Sequence, residues 1–352
     1  MAIDTYLVKR IVNKAAQMAG DAWRVRTQDM DSVLRQAEAL PKSIDFETTN
    51  ICNANCVFCA YQYQKRATGF MDMELYRRLI GEVHDLRIPA VNFTPLVGDP
   101  LVDPHILERA RLARERGIES VSFFTNGILF RKVGVQAILD SGLTDISLST
   151  AGFDEESYLR IYRSKMYRQM FDGLVALLEE NDRRGRPIKV FVHIRADEPL
   201  TAVRKKPDFL RIASLIDGVD ANLRFDSWSG LITPDQLLGG MRVRAVPAKH
   251  HPCWMLYWGL TVLWDGTVTA CGCRDLNASS DLVLGNARET TLSALWTGSR
   301  IGTIREAWIR AHQLPEICKD CSHYTPTTRF LRADMKAEIE ASVRTARLLE
   351  SP

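Results

Sequence analysis

No apolar run in the 352-residue sequence reaches membrane-spanning length. The first residues, Met-Ala-Ile-Asp-Thr-Tyr-Leu, lack a secretory signal pattern. Both absences lead to the expectation of a cytoplasmic protein that meets no membrane. No sign of charge dominates either: 46 Lys and Arg stand against 43 Asp and Glu, for a net charge of +3. That near balance gives no footprint for nucleic acid. The basic residues are scattered through helical stretches and read as solvated faces. Cysteine is missing from the whole middle of the chain, between Cys59 and Cys253. The eight cysteines fall as three at 52–59 and five at 253–321. In a compartment that keeps thiols reduced, such a set is no disulfide framework. Two metal-binding regions flanking a cysteine-free core is the natural reading. The 46% hydrophobic content and the length allow one large domain plus a smaller one.

What is present starts with Cys52-Asn53-Ala54-Asn55-Cys56-Val57-Phe58-Cys59. Three residues and then two separate the cysteines, so one loop can aim three thiolates at one face of a small cluster. A [4Fe–4S] cluster has four irons, each normally taking one thiolate. Three ligands leave one iron open to a small molecule that chelates through an amine and a carboxylate. A zinc knuckle is the competing reading. Zinc takes four ligands, and no His or Cys lies just downstream of Cys59.

Strand-like and helix-like stretches alternate beyond residue 42. Strands are expected at 43–48, 90–94, 120–125, 145–149, 189–194 and 221–225. Helices are expected at 72–87, 105–116, 133–140, from 154, and at 171–184 and 207–216. Gly117 follows the second of these helices as a C-cap. Glu155 and Glu156 open the 154 helix, where its dipole favours them. Six such units imply parallel strands joined by helices. Residues 1–42 read as an amphipathic helical cover, with Leu7, Ile11 and Val12 and then Val33, Leu34 and Leu40 as weak apolar stripes. Residues 230–250, with Gly239-Gly240 and Pro247, read as a linker. Gly259–Trp264 and Thr267–Thr269 read as a hairpin around an Asp265-Gly266 turn. Residues 327–350 read as a charged helix.

The three-cysteine loop is the signature of the radical SAM superfamily, which the chain resembles from that loop onward. The resemblance implies a partial (β/α)6 TIM-like barrel, an α/β fold, with chemistry at the C-terminal strand ends. It implies a [4Fe–4S] cluster on Cys52, Cys56 and Cys59 that binds S-adenosylmethionine and cleaves it to a 5′-deoxyadenosyl radical. Phe58 would pack near the adenine. Pro95-Leu96-Val97-Gly98-Asp99-Pro100-Leu101 resembles the Gly-Gly-Glu-Pro motif that holds the methionyl amine, with Val97 for the first Gly and Asp99 for the Glu. Asn126, in Thr125-Asn126-Gly127, resembles a turn near the cofactor. Ser147 matches a serine that contacts ribose or carboxylate, and Ser149 shares its face of the strand. Arg195 could clamp the methionyl carboxylate or form a surface ion pair. Asp226 and Trp228 follow the sixth strand, where Asp226 is the candidate substrate contact or base.

The region from Cys253 resembles a SPASM/twitch extension, a small α+β module. Its cysteine-flanked hairpin, Leu284-Gly285-Asn286, the 292–296 helix and Cys318-Lys319-Asp320-Cys321 carry that likeness. A full SPASM module would add cysteines after Cys321. The twitch form implies one auxiliary [4Fe–4S] cluster on Cys253, Cys271, Cys318 and Cys321. Cys273 is left over as a core bystander, an alternative ligand or a thiol hydrogen donor. The resulting domains are a helical segment at 1–42, a core barrel at 43–235, an auxiliary-cluster domain at 236–326 and a C-terminal helix at 327–352.

The expected function is hydrogen abstraction from an unactivated C–H of a sugar, aminosugar or cyclitol-like molecule. The outcome would be an oxidation with the auxiliary cluster as electron acceptor. The alternatives are a redox-neutral epimerase using Cys273, a ribosomal-peptide-modifying enzyme, and, outside catalysis, a zinc-stabilised binding protein. The expected partners are a small-molecule substrate, with a peptide as second choice, and a reductant such as flavodoxin or ferredoxin.

Overall fold

The computed structural model describes residues 29–272 and 274–350, with isolated positions at 16, 19, 20, 23 and 27. The expected stripe at Leu7, Ile11 and Val12, and Cys273, lie outside the described residues.

Six strands form the parallel part of one sheet in chain order: β1 (Ser43–Phe46), β2 (Ala90–Asn92), β3 (Ser120–Thr125), β4 (Asp145–Thr150), β5 (Lys189–Arg195) and β6 (Gly218–Asn222). Sequential parallel neighbours need helical crossovers, and the chain supplies them. Helix α1 (Met30–Ala37) precedes the sheet; α2 (Met73–Asp85), α3 (Ile106–Glu115), α4 (Val135–Leu139), α5 (Glu155–Tyr162), α6 (Tyr167–Arg183) and α7 (Pro207–Ile212) connect it. The caps are local. Asp72 accepts from the Leu75 N–H at 2.7 Å, and Asp154 from the Ser157 N–H at 2.7 Å, each filling an orphan donor of a helix start. Helix α2 then buries Leu75, Tyr76, Leu79, Ile80 and Val83, the positions of its apolar stripe. Helix α6 begins at Tyr167, four residues before the expected start, because that ring packs on Tyr158 at 5.6 Å and Phe171 at 5.9 Å.

Alternation along the strands sorts the two faces. Val121, Phe123, Ile146, Leu148, Val190, Val192 and Ile194 are buried in the core that the helices cover. The intervening Ser122, Ser147, Ser149, His193 and Arg195 are only partly buried and line the concave face. The parallel sheet thus has a dry side and a polar side, and the polar side is where a hydrophilic molecule fits.

Two departures from the expected elements matter for the site. The sixth strand of the main sheet is Gly218–Asn222, earlier than 221–225. Asp217 sets that register: its N–H donates to the Val190 carbonyl at 2.9 Å and its Oδ2 accepts from the Val190 N–H at 2.7 Å. Residues Arg224–Phe225 (β7) instead pair with Arg242–Val243 (β8) in a small parallel ribbon.

The hairpin of Gly259–Val262 (β9) and Thr267–Thr269 (β10) does form, with Gly266 at φ 93° in its turn. It extends the same sheet: β9 pairs in parallel with β1, and Val283–Asn286 (β11) closes the far edge. A Cβ at Gly259 would lie 2.0 Å from the Ser43 carbonyl oxygen, so only glycine permits this junction. Helices α8 (Leu292–Thr297) and α9 (Ser299–Ala311) follow. The C-terminal α10 (Ala333–Glu350) packs on α1, the described part of the expected helical cover. Among the described residues, no helix is long and apolar enough to cross a membrane.

Candidate active site

The cysteine loop leaves the C-terminal end of β1. Asn50 holds its base, donating from Nδ2 to the Ala67 carbonyl at 2.8 Å and accepting from the Gly69 N–H at 3.1 Å. The Val57 N–H donates to the Ile161 carbonyl at the end of α5 at 2.9 Å, and the Cys59 N–H to the Cys56 carbonyl at 3.1 Å. Among the described residues no cysteine is in a disulfide. Burial pushes the Cys52 thiol up to about 12, with the Asp99 charge and Cys59 adding to it. Burial and the neighbouring Cys59 and Cys52 also push up Cys56, and burial pushes up Cys59, which Arg274 and Arg195 draw back. Three thiols on one short loop, none of them in a disulfide, are a soft donor set. Such a set is suited to an iron–sulfur cluster that fixes them as thiolates.

A buried ion pair locks this loop. Glu47, at the end of β1, is fully buried and takes Arg66 in a two-pronged contact, Nη1 to Oε1 at 2.6 Å and Nη2 to Oε2 at 2.9 Å. The Leu96 N–H donates to Glu47 Oε2 at 3.1 Å, and Arg66 Nε to the Leu276 carbonyl at 2.9 Å. One carboxylate therefore ties together the cysteine loop, the loop after β2 and the segment after Cys271. Sequence reading missed this pair; its only signal is an acidic residue directly after Phe46, the last buried residue of β1.

The loop after β2 differs from expectation in one respect. Asp99 was expected to face an ammonium. Its carboxylate is buried and accepts from the Thr125 hydroxyl at 2.9 Å, the Asn126 N–H at 2.7 Å and the Leu101 N–H at 3.0 Å. Burial pushes it up to about 6, opposed by those donors. With its oxygens engaged inside, Asp99 staples the loop after β2 to the end of β3. Gly98 sits at φ 130°, and a Cβ there would come within 3.0 Å of the Thr49 carbonyl oxygen, so the close approach to the cysteine loop requires glycine.

Asn126 meets the cysteine loop directly. Its Nδ2 donates to Asn53 Oδ1 at 2.6 Å and reaches Cys52 Sγ at 3.9 Å. Phe58 lies against Phe225 with ring centres 5.1 Å apart and against Tyr162 edge-on at 5.6 Å. Ser149 bonds the Tyr162 hydroxyl at 2.8 Å and accepts from Arg195 Nε at 3.4 Å. Arg195 thus stands on the concave face, where its charge opposes the rise of the Cys56 and Cys59 thiols. Ser147 is set apart from these groups. Its hydroxyl meets His193 Nε2 at 3.3 Å, and His193 Nδ1 meets Asp220 Oδ2 at 3.0 Å. This Ser–His–Asp chain crosses β4, β5 and β6 on the polar face, with the His193 ring 4.9 Å from Phe124. The His193 contact holds the Asp220 carboxyl below its ordinary range.

Asp226 corrects a second expectation. It was read as a substrate contact or base, but it is buried, ion-paired with Arg274, and accepts from the Ser322 hydroxyl at 2.6 Å and the Trp228 N–H at 3.0 Å. A carboxylate so occupied has no open side for a substrate proton. Cys253, Cys271, Cys318 and Cys321, from three separate segments, line one cavity with Lys249, Trp308 and Tyr324. Burial, then Cys271, pushes Cys253 up to about 12. Among the described residues, no three Cys, His, Asp or Glu groups close around a single ion; the four thiols surround a space.

On the concave face of β1, burial pushes the Asp45 carboxyl up to about 7, opposed by Ser43. Between the unfolded value of 3.8 and the folded value, the native state holds a proton that the unfolded chain has lost. Stability therefore falls as pH rises through that window. In anaerobic urea unfolding, Asp45→Asn is expected to remove a fall of roughly 2 kcal/mol between pH 5 and pH 8. Equal pH dependence in the two proteins would refute this.

Comparison with known proteins agrees with this arrangement. Residues 46–193 match the radical SAM superfamily, and residues 253–322 match SPASM, an iron–sulfur cluster-binding domain. The GTP 3′,8-cyclase of Chlorobaculum tepidum is 30% identical over 131 residues, covering 37% of this chain and 39% of the relative. The chain spans 39% to 48% of the length of the first four GTP 3′,8-cyclases it matches. The tungsten-containing aldehyde ferredoxin oxidoreductase cofactor-modifying protein of Pyrococcus furiosus is 21% identical over 321 residues, covering 80% of this chain and 87% of the relative. Among solved structures, BtrN in complex with AdoMet and 2-DOIA aligns with a TM-score of 0.53 at 19% identity, over 80% of this chain and 93% of BtrN. Streptococcus suis SuiB bound to precursor peptide SuiA aligns with a TM-score of 0.58 at 15% identity, over 77% of this chain and 69% of SuiB. These likenesses establish the fold.

Proposed function

We propose that this chain, which belongs to the radical SAM superfamily and carries a C-terminal SPASM domain, oxidises a C–H position of a small hydroxyl-rich molecule such as a sugar, aminosugar or cyclitol. Its cofactors are a [4Fe–4S] cluster, S-adenosylmethionine and an auxiliary iron–sulfur cluster. When bound, they supply a 5′-deoxyadenosyl radical that removes a hydrogen atom and an acceptor for the remaining electron. Cys52, Cys56 and Cys59 would hold the first cluster, and Cys253, Cys271, Cys318 and Cys321 the second. A flavodoxin or ferredoxin would supply the priming electron.

The observation that carries the reading is the Ser147–His193–Asp220 chain on the polar face. Oxidation of an alcohol carbon removes one hydrogen atom from C–H, one proton from O–H and one electron, so a base must take the proton. Asp220 accepts from His193 Nδ1–H, which leaves Nε2 as the basic nitrogen. Ser147 holds its hydroxyl at that nitrogen, the place a substrate hydroxyl would occupy or reach through. The proton passes to Nε2, and the Asp220 carboxylate stabilises the imidazolium. Arg195 and Ser149 would orient the methionyl carboxylate, and Asn126 would fix the Cys52 thiolate by its N–H.

The test is a panel of sugars, aminosugars and cyclitols with reconstituted enzyme, S-adenosylmethionine and dithionite, read by mass spectrometry. A product two hydrogens lighter, formed one-to-one with 5′-deoxyadenosine, is expected. His193→Gln should lower product formation by about 10²–10⁴-fold while 5′-deoxyadenosine still forms. A product of unchanged mass that carries solvent deuterium would replace this reading with epimerisation. Turnover only of a peptide would replace it with peptide modification, and a colourless, iron-free protein with the zinc-binding alternative.

A further inference from the structure

The stretch after β7, Asp226–Ser229, touches both cysteine regions. Trp228 Nε1–H donates at 3.3 Å to the carbonyl of Phe58, the neighbour of Cys59. Ser322, the neighbour of Cys321, donates to Asp226 and accepts from the Ser227 N–H at 3.0 Å. Ser229 donates at 3.1 Å to the carbonyl of Ile317, the neighbour of Cys318. Trp228 and Ser229 hold φ of 50° and 53°, a left-handed conformation that non-glycine residues keep only where their surroundings enforce it.

Arg274 is seated on this strap. Its guanidinium lies 4.4 Å over the Trp228 ring and pairs with Asp226. Burial lowers its pKa to about 10, against the pull of Cys321 and Cys59, so it is a cation at neutral pH. Its platform Trp228 bonds the residue before Cys59, and its partner Asp226 bonds the residue after Cys321, so it is held between one cysteine of each set.

We propose that Arg274 is the positioning residue that couples the two cluster sites and sets their reduction potentials, with Asp226 as its counter-charge and Trp228 as its platform. The inference rests on the two-cluster assignment of the cysteines and not on the identity of the substrate. A cluster gains one negative charge on reduction. A fixed cation nearby favours the reduced form and raises the potential, and an adjacent carboxylate offsets it. Removing the cation and removing the carboxylate must therefore move the potential in opposite directions. A residue that served only to hold the fold would not separate the two signs.

The experiment is a redox titration, monitored by electron paramagnetic resonance, of the anaerobically reconstituted two-cluster protein with its iron counted. S-adenosylmethionine identifies the first cluster as the one whose signal it perturbs. At the auxiliary cluster, Arg274→Gln is expected to shift the midpoint to more negative potential and Asp226→Asn to more positive potential. Arg274→Lys, which keeps the charge, is expected to stay near wild type. Shifts of the same sign in the Gln and Asn variants, or no shift at full iron content, overturn the proposal. If Arg274→Gln holds no iron, the Asp226→Asn and Arg274→Lys pair decides, and an Asn variant without a positive shift overturns it. A wild type with only about four irons would remove the auxiliary cluster itself, an outcome distinct from unmoved potentials at about eight.

Discussion

Arg66→Ala is expected to destabilise the protein by about 3–5 kcal/mol in anaerobic urea unfolding followed by tryptophan fluorescence. The size follows from what is left behind. Glu47 has no exposed side-chain surface, and among the described residues Arg66 is the cation paired with it. Without it, a carboxylate is stranded in the core with the Leu96 N–H still donating to it. The reverse change should cost less. Glu47→Gln keeps the shape, the Leu96 bond and an amide oxygen for Arg66, which also retains the Leu276 carbonyl. The double variant Glu47→Gln/Arg66→Ala should cost less than the two single changes combined, because each single change includes the penalty of an orphaned partner. Additive losses would show that the pair is energetically idle. Arg66 also leads out of the cysteine loop and binds the Leu276 carbonyl, so its loss should loosen both cluster regions and lower iron retention after gel filtration.

The parallel strands were legible because their alternation survives in the sequence: Val-Ser-Phe, Ile-Ser-Leu and Val-Phe-Val-His-Ile each put apolar side chains on one face. The Asp-Gly turn announced the β9–β10 hairpin for the same local reason. Its union with β1 had no such signal. Pairing between Ser43 and Gly259 is a contact between distant residues, and the one local trace is a glycine that any loop could have carried. The cysteine loop was legible from spacing alone. The roles of the carboxylates around it were not. Asp99 and Asp226 sit at strand ends where substrate-facing acids are expected, and only the structure reveals that Thr125 and Asn126 occupy one and Arg274 and Ser322 the other. Position along a strand predicts where a side chain starts, whereas burial and partners decide what it does. His193 shows the converse. It reads as an ordinary strand residue until Asp220 and Ser147 are brought to its two nitrogens by neighbouring strands.

Replacing Cys52, Cys56 and Cys59 together by Ala is expected to halve the bound iron and sulfide after anaerobic reconstitution, from about eight irons per chain to about four. The two cysteine regions can load separately because their ligands come from different parts of the fold. The first three thiols share one loop that leaves β1. The other four come from the segment before β9, the end of β10 and the 318–321 turn, around their own cavity. The Asp226–Ser229 strap joins the regions without donating a thiol to either. A variant that retains about four irons and their absorbance would therefore report an auxiliary cluster assembled in the absence of the first. About four irons in the wild type and none in the variant would mean that the C-terminal thiols hold no cluster. The second electron of the proposed oxidation would then have no acceptor within the chain, and a redox-neutral radical reaction would take its place.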